Sequence, residues 1–225
     1  MDFTSFRLAA ATANLDSEPD ARAHADLIEL RMDLAEDPLS QLSAYDGELP
    51  VLVTNRPTWE GGEADDDGRL TALQAAVTDD AVEAVDIELA TARDGAAGAL
   101  IETAREHDVS VIVSTHDFEA TPPMGELQEM LRAACEYGDV GKLAVTANSP
   151  DDVLDLLVAT RAATVEGHTV ATMAMGEAGR HSRAVAPIYG SKIGYAPVEP
   201  DEATAPGQYD LATLSTLVEQ LSEDD

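Results

Sequence analysis

Lys142 is one of two lysines in a chain that carries eleven arginines. It sits inside the apolar run Val140-Gly141-Lys142-Leu143-Ala144-Val145. A lysine in the middle of such a strand is costly unless it is paired or deprotonated. Desolvation and nearby cations such as Arg31 or Arg56 favour the neutral form, and the chemistry on offer is that of a nucleophilic amine. The alternative is a side chain whose head reaches solvent past the strand end. Lys192, the other lysine, follows Tyr189-Gly190-Ser191 in a loop, where it is solvated or makes a weak phosphate contact.

Other charges recur where a strand should be apolar. In Leu27-Ile28-Glu29-Leu30-Arg31-Met32-Asp33 every second residue is charged, so all three point to one face. A structural Glu-Arg pair is the plain alternative there. Arg56 ends another run and leads into Glu60-Gly61-Gly62, where the glycine pair frees the loop for an anion or hydroxyl clamp. Asp86 and Glu88, two apart, share one face of Val85-Asp86-Ile87-Glu88-Leu89. His116 stands at the tip of Val111-Ile112-Val113-Ser114-Thr115-His116, as a proton carrier or a structural imidazole. The glycine-containing loops that hold Met175-Gly176 and Thr204-Ala205-Pro206-Gly207-Gln208 match no specific phosphate motif, and the Met173/Met175 pair reads as packing.

These residues need elements to hold them. Strand-like runs fall near 6–11, 26–33, 50–56, 84–89, 110–116, 139–145, 169–175 and Ala184–Tyr189. Helix-like stretches fall near 18–25, 38–45, 69–79, 95–107, 124–136, 150–164, 177–181 and 210–222. Ser149-Pro150-Asp151-Asp152 supplies an N-cap, a proline and first-turn acids for one of them. Eight β units, each followed by an α unit, predict an α/β fold: one (β/α)8 TIM barrel over residues 1–225. A doubly wound open sheet is the runner-up, although the first strand turn lacks its glycine fingerprint. In a barrel, inward charges near strand C-termini line the mouth where active sites sit.

Composition narrows the partners. With 44 acidic against 13 basic residues the formal charge is −31, which argues against nucleic acid and anionic membranes. Abundant carboxylates with almost no lysine suggest a halophile-like surface, its self-repulsion screened by salt. No apolar run approaches a membrane span and no signal peptide is evident, so a cytoplasmic protein is expected. The single Cys135 supplies neither an internal disulfide nor a cysteine zinc cage.

Taken in order, Glu29-Leu30-Arg31-Met32-Asp33, Arg56 with Glu60-Gly61-Gly62, Val85-Asp86-Ile87-Glu88-Leu89, Ser114-Thr115-His116-Asp117-Phe118, Gly141-Lys142-Leu143-Ala144, Met175-Gly176 with Ser182-Arg183, and Tyr189-Gly190-Ser191 through Ala205-Pro206-Gly207-Gln208 resemble type I 3-dehydroquinate dehydratase. The resemblance covers nearly the whole chain. It implies a (β/α)8 barrel, usually homodimeric, with no metal and no organic cofactor, acting on 3-dehydroquinate through a lysine imine. It makes Lys142 the imine-forming residue, His116 the proton shuttle and Glu60 the carboxylate that orients it, with Asp86 and Glu88 behind them. Arg183, Gln208 and Thr204 would hold the substrate carboxylate, while Glu29, Arg31 and Arg56 would hold the ring hydroxyls. Thr204 departs from the serine expected there but keeps the hydroxyl. Two rivals remain: another Schiff-base barrel such as a class I aldolase, which would need a sugar-phosphate site, and a non-enzymatic acidic binding protein.

Overall fold

The apolar runs lie side by side and in parallel, so each is buried on both faces. The computed structural model describes residues 1–198 and 207–222. In chain order it holds β1 (Arg7–Thr12), α1 (Glu18–Ala21), β2 (Leu27–Arg31), α2 (Pro38–Ala44), β3 (Val51–Thr54), α3 (Asp66–Ala76), β4 (Val82–Glu88), α4 (Leu89–Arg93) and α5 (Gly98–Glu106). There follow β5 (Ser110–Asp117), α6 (Met124–Tyr137), β6 (Val140–Thr146), α7 (Pro150–Val165), β7 (Val170–Met175), α8 (Gly176–Gly179), α9 (Ser182–Val185), β8 (Ile193–Pro197) and α10 (Leu211–Ser222). Strands β1 to β7 pair consecutively, and β8 pairs with β1.

The ring is completed between β7 and β8 by one bridge, Val170 to Ser191, with the Lys192 amide donating to the Val170 carbonyl at 2.7 Å. Closure excludes the open-sheet alternative, and the fold is a (β/α)8 barrel. Gly190 makes the closing turn possible: its φ is +107°, and a Cβ there would strike Thr164. Ser191 then braces the joint, its Oγ accepting from the Thr172 amide at 2.9 Å.

Side-chain alternation sorts each strand into two faces. Outward residues such as Ile28, Leu30, Val53, Val85, Ile87, Val111 and Val113 form one apolar layer with the helices of the first half. Leu143 and Val145 join Leu127, Leu131, Val153 and Leu156 of α6 and α7 in another. Inward residues begin apolar, with Leu27, Leu52, Ala84, Ile112 and Val140 plugging the barrel floor beside Phe3. One step further along β2 to β6 the inward position turns polar: Glu29, Thr54, Asp86, Ser114, Lys142. The barrel thus has a dry floor and a charged upper layer.

Two local readings need correction. The eighth strand is Ile193–Pro197, whereas Ala184–Tyr189 forms α9 and a 3-10 turn (Ala186–Tyr189). Pro187 cannot donate to a ladder, and the true strand, Ile-Gly-Tyr-Ala-Pro, hides behind a glycine and a proline that weaken any strand signal. Gly194 is there because Phe6 packs where its Cβ would stand, 2.7 Å from Cζ. The second correction is α4, a turn of helix that the sequence reading passed over. Ser149 caps α7 with the reciprocal Asp152 bond of a capping box, in line with the start signal there.

Candidate active site

The upper layer opens into a cavity of about 580 Å³ at the C-terminal ends of the strands, partly open to solvent. Glu29, Arg31, Arg56, Glu60, His116, Lys142, Arg183 and Gln208 all line it. Thr204 lies outside the described residues. Asp86 and Glu88 stand just behind the wall, both fully buried.

Lys142 comes from the middle of β6 and is 5% exposed. Its Nζ donates to Asp86 Oδ2 at 2.8 Å, so the amine's immediate partner is a carboxylate rather than the cations inferred from sequence. Burial alone would raise the Asp86 carboxyl. Arg56 and Lys142, with hydrogen bonds from Lys142 and Ser114, instead hold it well below the usual carboxylate range. The face of Tyr195 on β8 lies on the lysine's other side, 4.1 Å from Nζ to the ring centroid.

Arg56 is a hub. Its Nη2 donates to Asp86 at 2.7 Å, and its Nη1 donates to Glu88 at 2.9 Å and to Ser114 Oγ at 2.8 Å. It therefore reaches the cavity as an already paired cation. Glu88 is held from behind by Arg69 of α3 at 2.8 Å, which also donates to Thr91 at 2.9 Å. Three cations and two carboxylates thus form one buried network in which every acid has at least two donors.

His116, near the end of β5, shares a 2.6 Å hydrogen bond between Nδ1 and Glu60 Oε2. Burial, reinforced by Arg56 and Lys142, pushes the imidazole well below its ordinary 6.5, so the neutral ring is the resting form. Burial also pushes Glu60 up, to about 7, with Arg56 opposing and Glu88 and Asp86 adding to the rise. With Nδ1–H turned to Glu60, Nε2 is left as the free acceptor. Glu60 sits on a 3-10 turn, Thr58–Glu60. The glycines after it provide close fit rather than looseness: Gly61 has φ +78° against Phe118, and a Cβ on Gly62 would meet the Arg56 carbonyl.

The Glu29–Arg31 pair considered from sequence does not form. Arg31 is held by Asp33 through two bonds of 2.9 and 2.6 Å, and Glu29 accepts from Thr54 at 2.7 Å. Arg183, on α9, is 4% exposed, and its Nε and Nη2 have no hydrogen-bond partner among the described residues. Burial lowers it to about 10, which still leaves it a cation at neutral pH. A buried, forked and incompletely paired guanidinium in a cavity wall is suited to a carboxylate. Met173 and Met175, read from sequence as packing, are buried and also supply the cavity's apolar wall.

Tyr195, Thr54 and Arg69 are site or supporting residues that sequence reasoning missed. Tyr195 could have been found from the inward alternation of its strand had that strand been placed correctly. Lys192 is at the opposite end of the barrel, where Nζ donates to the Thr4 carbonyl at 2.7 Å; it has no part in the cavity. Among the described residues no cluster of three or more His, Cys, Asp or Glu side chains is placed to hold a metal ion.

A buried lysine, a carboxylate-held imidazole and an incompletely paired arginine at the mouth of a (β/α)8 barrel define a barrel lyase of the amine-nucleophile class. The sequence profile of the type I 3-dehydroquinase family matches residues 4–225. The 3-dehydroquinate dehydratase of Haloarcula marismortui is 64% identical, covering 100% of both chains. That of Halobacterium salinarum is 52% identical, covering 98% of this chain and 100% of its own. The crystal structure of 3-dehydroquinate dehydratase from Geobacillus kaustophilus superposes with a TM-score of 0.87 at 30% identity, covering 99% of this chain and 93% of that one. The chain belongs to the type I 3-dehydroquinase family, and its activity is that of a hydro-lyase in the shikimate pathway. That membership displaces the aldolase and the acidic binding protein as alternatives.

Proposed function

We propose that this chain removes water from 3-dehydroquinate to give 3-dehydroshikimate through an imine on Lys142. The observation that carries the reading is the placement of one buried amine in a cavity that it shares with the His116–Glu60 pair. The amine condenses with the ring ketone and releases one water. The protonated imine then draws electrons from the neighbouring carbon, so its hydrogen becomes acidic. His116 Nε2 takes that proton, the electron pair moves to the imine as an enamine, and the hydroxyl one carbon further leaves as the imidazolium protonates it. Water hydrolyses the remaining imine, freeing product and amine. The solved relative from Clostridium difficile, 28% identical, carries covalently modified comenic acid, which supports a cavity of this type taking a covalent adduct.

Around the reacting atoms, Arg183 and Gln208 hold the substrate carboxylate. Glu29, Arg31 and Arg56 face the ring hydroxyls. Asp86 anchors the lysine, and Glu88 fixes Arg56. A homodimer and a cytoplasmic location are part of the same proposal. Exposed Leu154, Val158 and Val165 on one side of α7, next to exposed Ile188 and Tyr189, offer a partner surface on an otherwise acidic protein.

The test is borohydride reduction in the presence of 3-dehydroquinate, followed by peptide mass mapping. The reading expects a substrate-derived mass on Lys142 and loss of both adduct and turnover in Lys142→Ala. Full turnover with Lys142 unmodified under conditions that trap imines overturns it.

A further inference from the structure

We propose that the face of Tyr195 is the electrostatic seat of the reacting nitrogen, supporting the positive charge on Lys142 Nζ both as ammonium and as protonated imine. This rests on Lys142 being the imine-forming residue.

The geometry is direct. Nζ lies 4.1 Å from the ring centroid, within the range where an aromatic quadrupole attracts a cation. Both partners are 5% exposed, so little water competes. Burial, with Asp86 and Glu29 nearby, raises the phenol well above 10, and the ring stays neutral throughout.

The chemistry explains why a ring suits this position. An ammonium has three N–H donors, one of which is engaged by Asp86. When the nitrogen becomes a protonated imine, two of the three are replaced by bonds to the substrate carbon while the charge remains. A partner that works through hydrogen bonds is then limited to the one N–H that remains. An aromatic face is not, because it responds to charge and needs no N–H.

The hydroxyl separates ring from phenol. Tyr195 Oη is buried and has no hydrogen-bond partner among the described residues. An unpartnered buried hydroxyl is unfavourable, so the seat is the ring and the hydroxyl is dispensable to it.

The experiment compares Tyr195→Phe and Tyr195→Leu for kcat, KM and the fraction of enzyme trapped on Lys142 at saturating substrate. Tyr195→Phe is expected to stay within about twofold of wild type in all three. Tyr195→Leu is expected to lose about tenfold in kcat and to trap less adduct, with KM nearly unchanged, the scale of a desolvated cation–aromatic contact. To remove any dependence on the folding of the leucine variant, phenylalanines carrying one, two and three ring fluorines at position 195 weaken the quadrupole at nearly constant shape. Trapped fraction and kcat should fall stepwise along that series. A flat series, or a Tyr195→Phe loss as large as that of Tyr195→Leu, overturns the proposal. Absence of any Lys142 adduct in the wild type would instead sink the imine reading, so the two failures are distinguishable.

Discussion

His116 and Glu60 are best treated as one titrating unit, because a 2.6 Å hydrogen bond joins them and both are desolvated. On the proposed mechanism, Glu60 above about pH 7 is an anion that holds Nδ1–H, leaving Nε2 to accept the substrate proton. Below that pH the pair gains a proton and the base is lost. The expected profile of kcat/KM therefore rises with pH to a plateau, with an apparent pKa near 7 that belongs to the pair. In Glu60→Gln the carboxyl can no longer take that proton. The limb should move to lower pH, toward the depressed imidazole value, while the plateau falls about 10- to 100-fold as orientation is lost. A profile whose limb stays near pH 7 in Glu60→Gln would count against this assignment. At this scale the sequence was readable because charged residues in apolar runs are expensive: Glu29, Arg31, Asp86 and Lys142 announced themselves. What it could not give were pairings. The choice of Asp33 over Glu29 for Arg31 depends on how the chain turns just past the end of β2, and that of Asp86 for Lys142 on the distance between strands far apart in the chain.

The 3-10 turn that carries Glu60 has little packing of its own. It is tied down through Trp59, whose Nε1 donates to Asp66 at 2.9 Å and whose ring lies 5.7 Å from the Arg69 guanidinium. Arg69 in turn runs from α3 into the buried network at Glu88. One side chain thus couples the loop that orients the imidazole to the hub that sets Asp86. Arg69→Met should cost about 3–5 kcal/mol in stability, because it leaves Glu88 buried with one cation fewer. It should also lower kcat more than it raises KM. Urea unfolding and steady-state kinetics read both, and a stability loss under about 1 kcal/mol would contradict the coupling. Arg69 looked like an ordinary helix-start residue in sequence, and only the fold reveals that it points inward. The misplaced eighth strand has the same root: β8 is chosen by its place between β1 and β7, not by its own propensity.

For the whole molecule, −31 formal charges surround a cavity walled by Arg31, Arg56, Lys142 and Arg183. The carboxylate substrate must cross a repelling field before it meets an attracting one. Salt shortens the reach of the outer field, from roughly 10 Å at 0.1 M to 3 Å at 1 M, and screens the buried cations far less. KM for 3-dehydroquinate should therefore fall several-fold between those salt concentrations, with kcat changing less. A KM independent of salt, measured where circular dichroism reports an intact fold, would refute the argument. Barrel architecture and surface charge were both legible from sequence, since each depends on pattern and composition summed over the entire chain.

The use of arginine in place of lysine has a chemical consequence beyond solvation. A substrate ketone can condense with any neutral primary amine, but not usefully with a guanidinium that stays protonated. Of the two side-chain amines, one is in the cavity and the other is occupied with a backbone carbonyl at the far end of the barrel. On the proposed mechanism, the side-chain amine able to form an imine with product-forming consequence is the one in the cavity, and the arginine-rich exterior offers few side-chain amines to compete for the ketone.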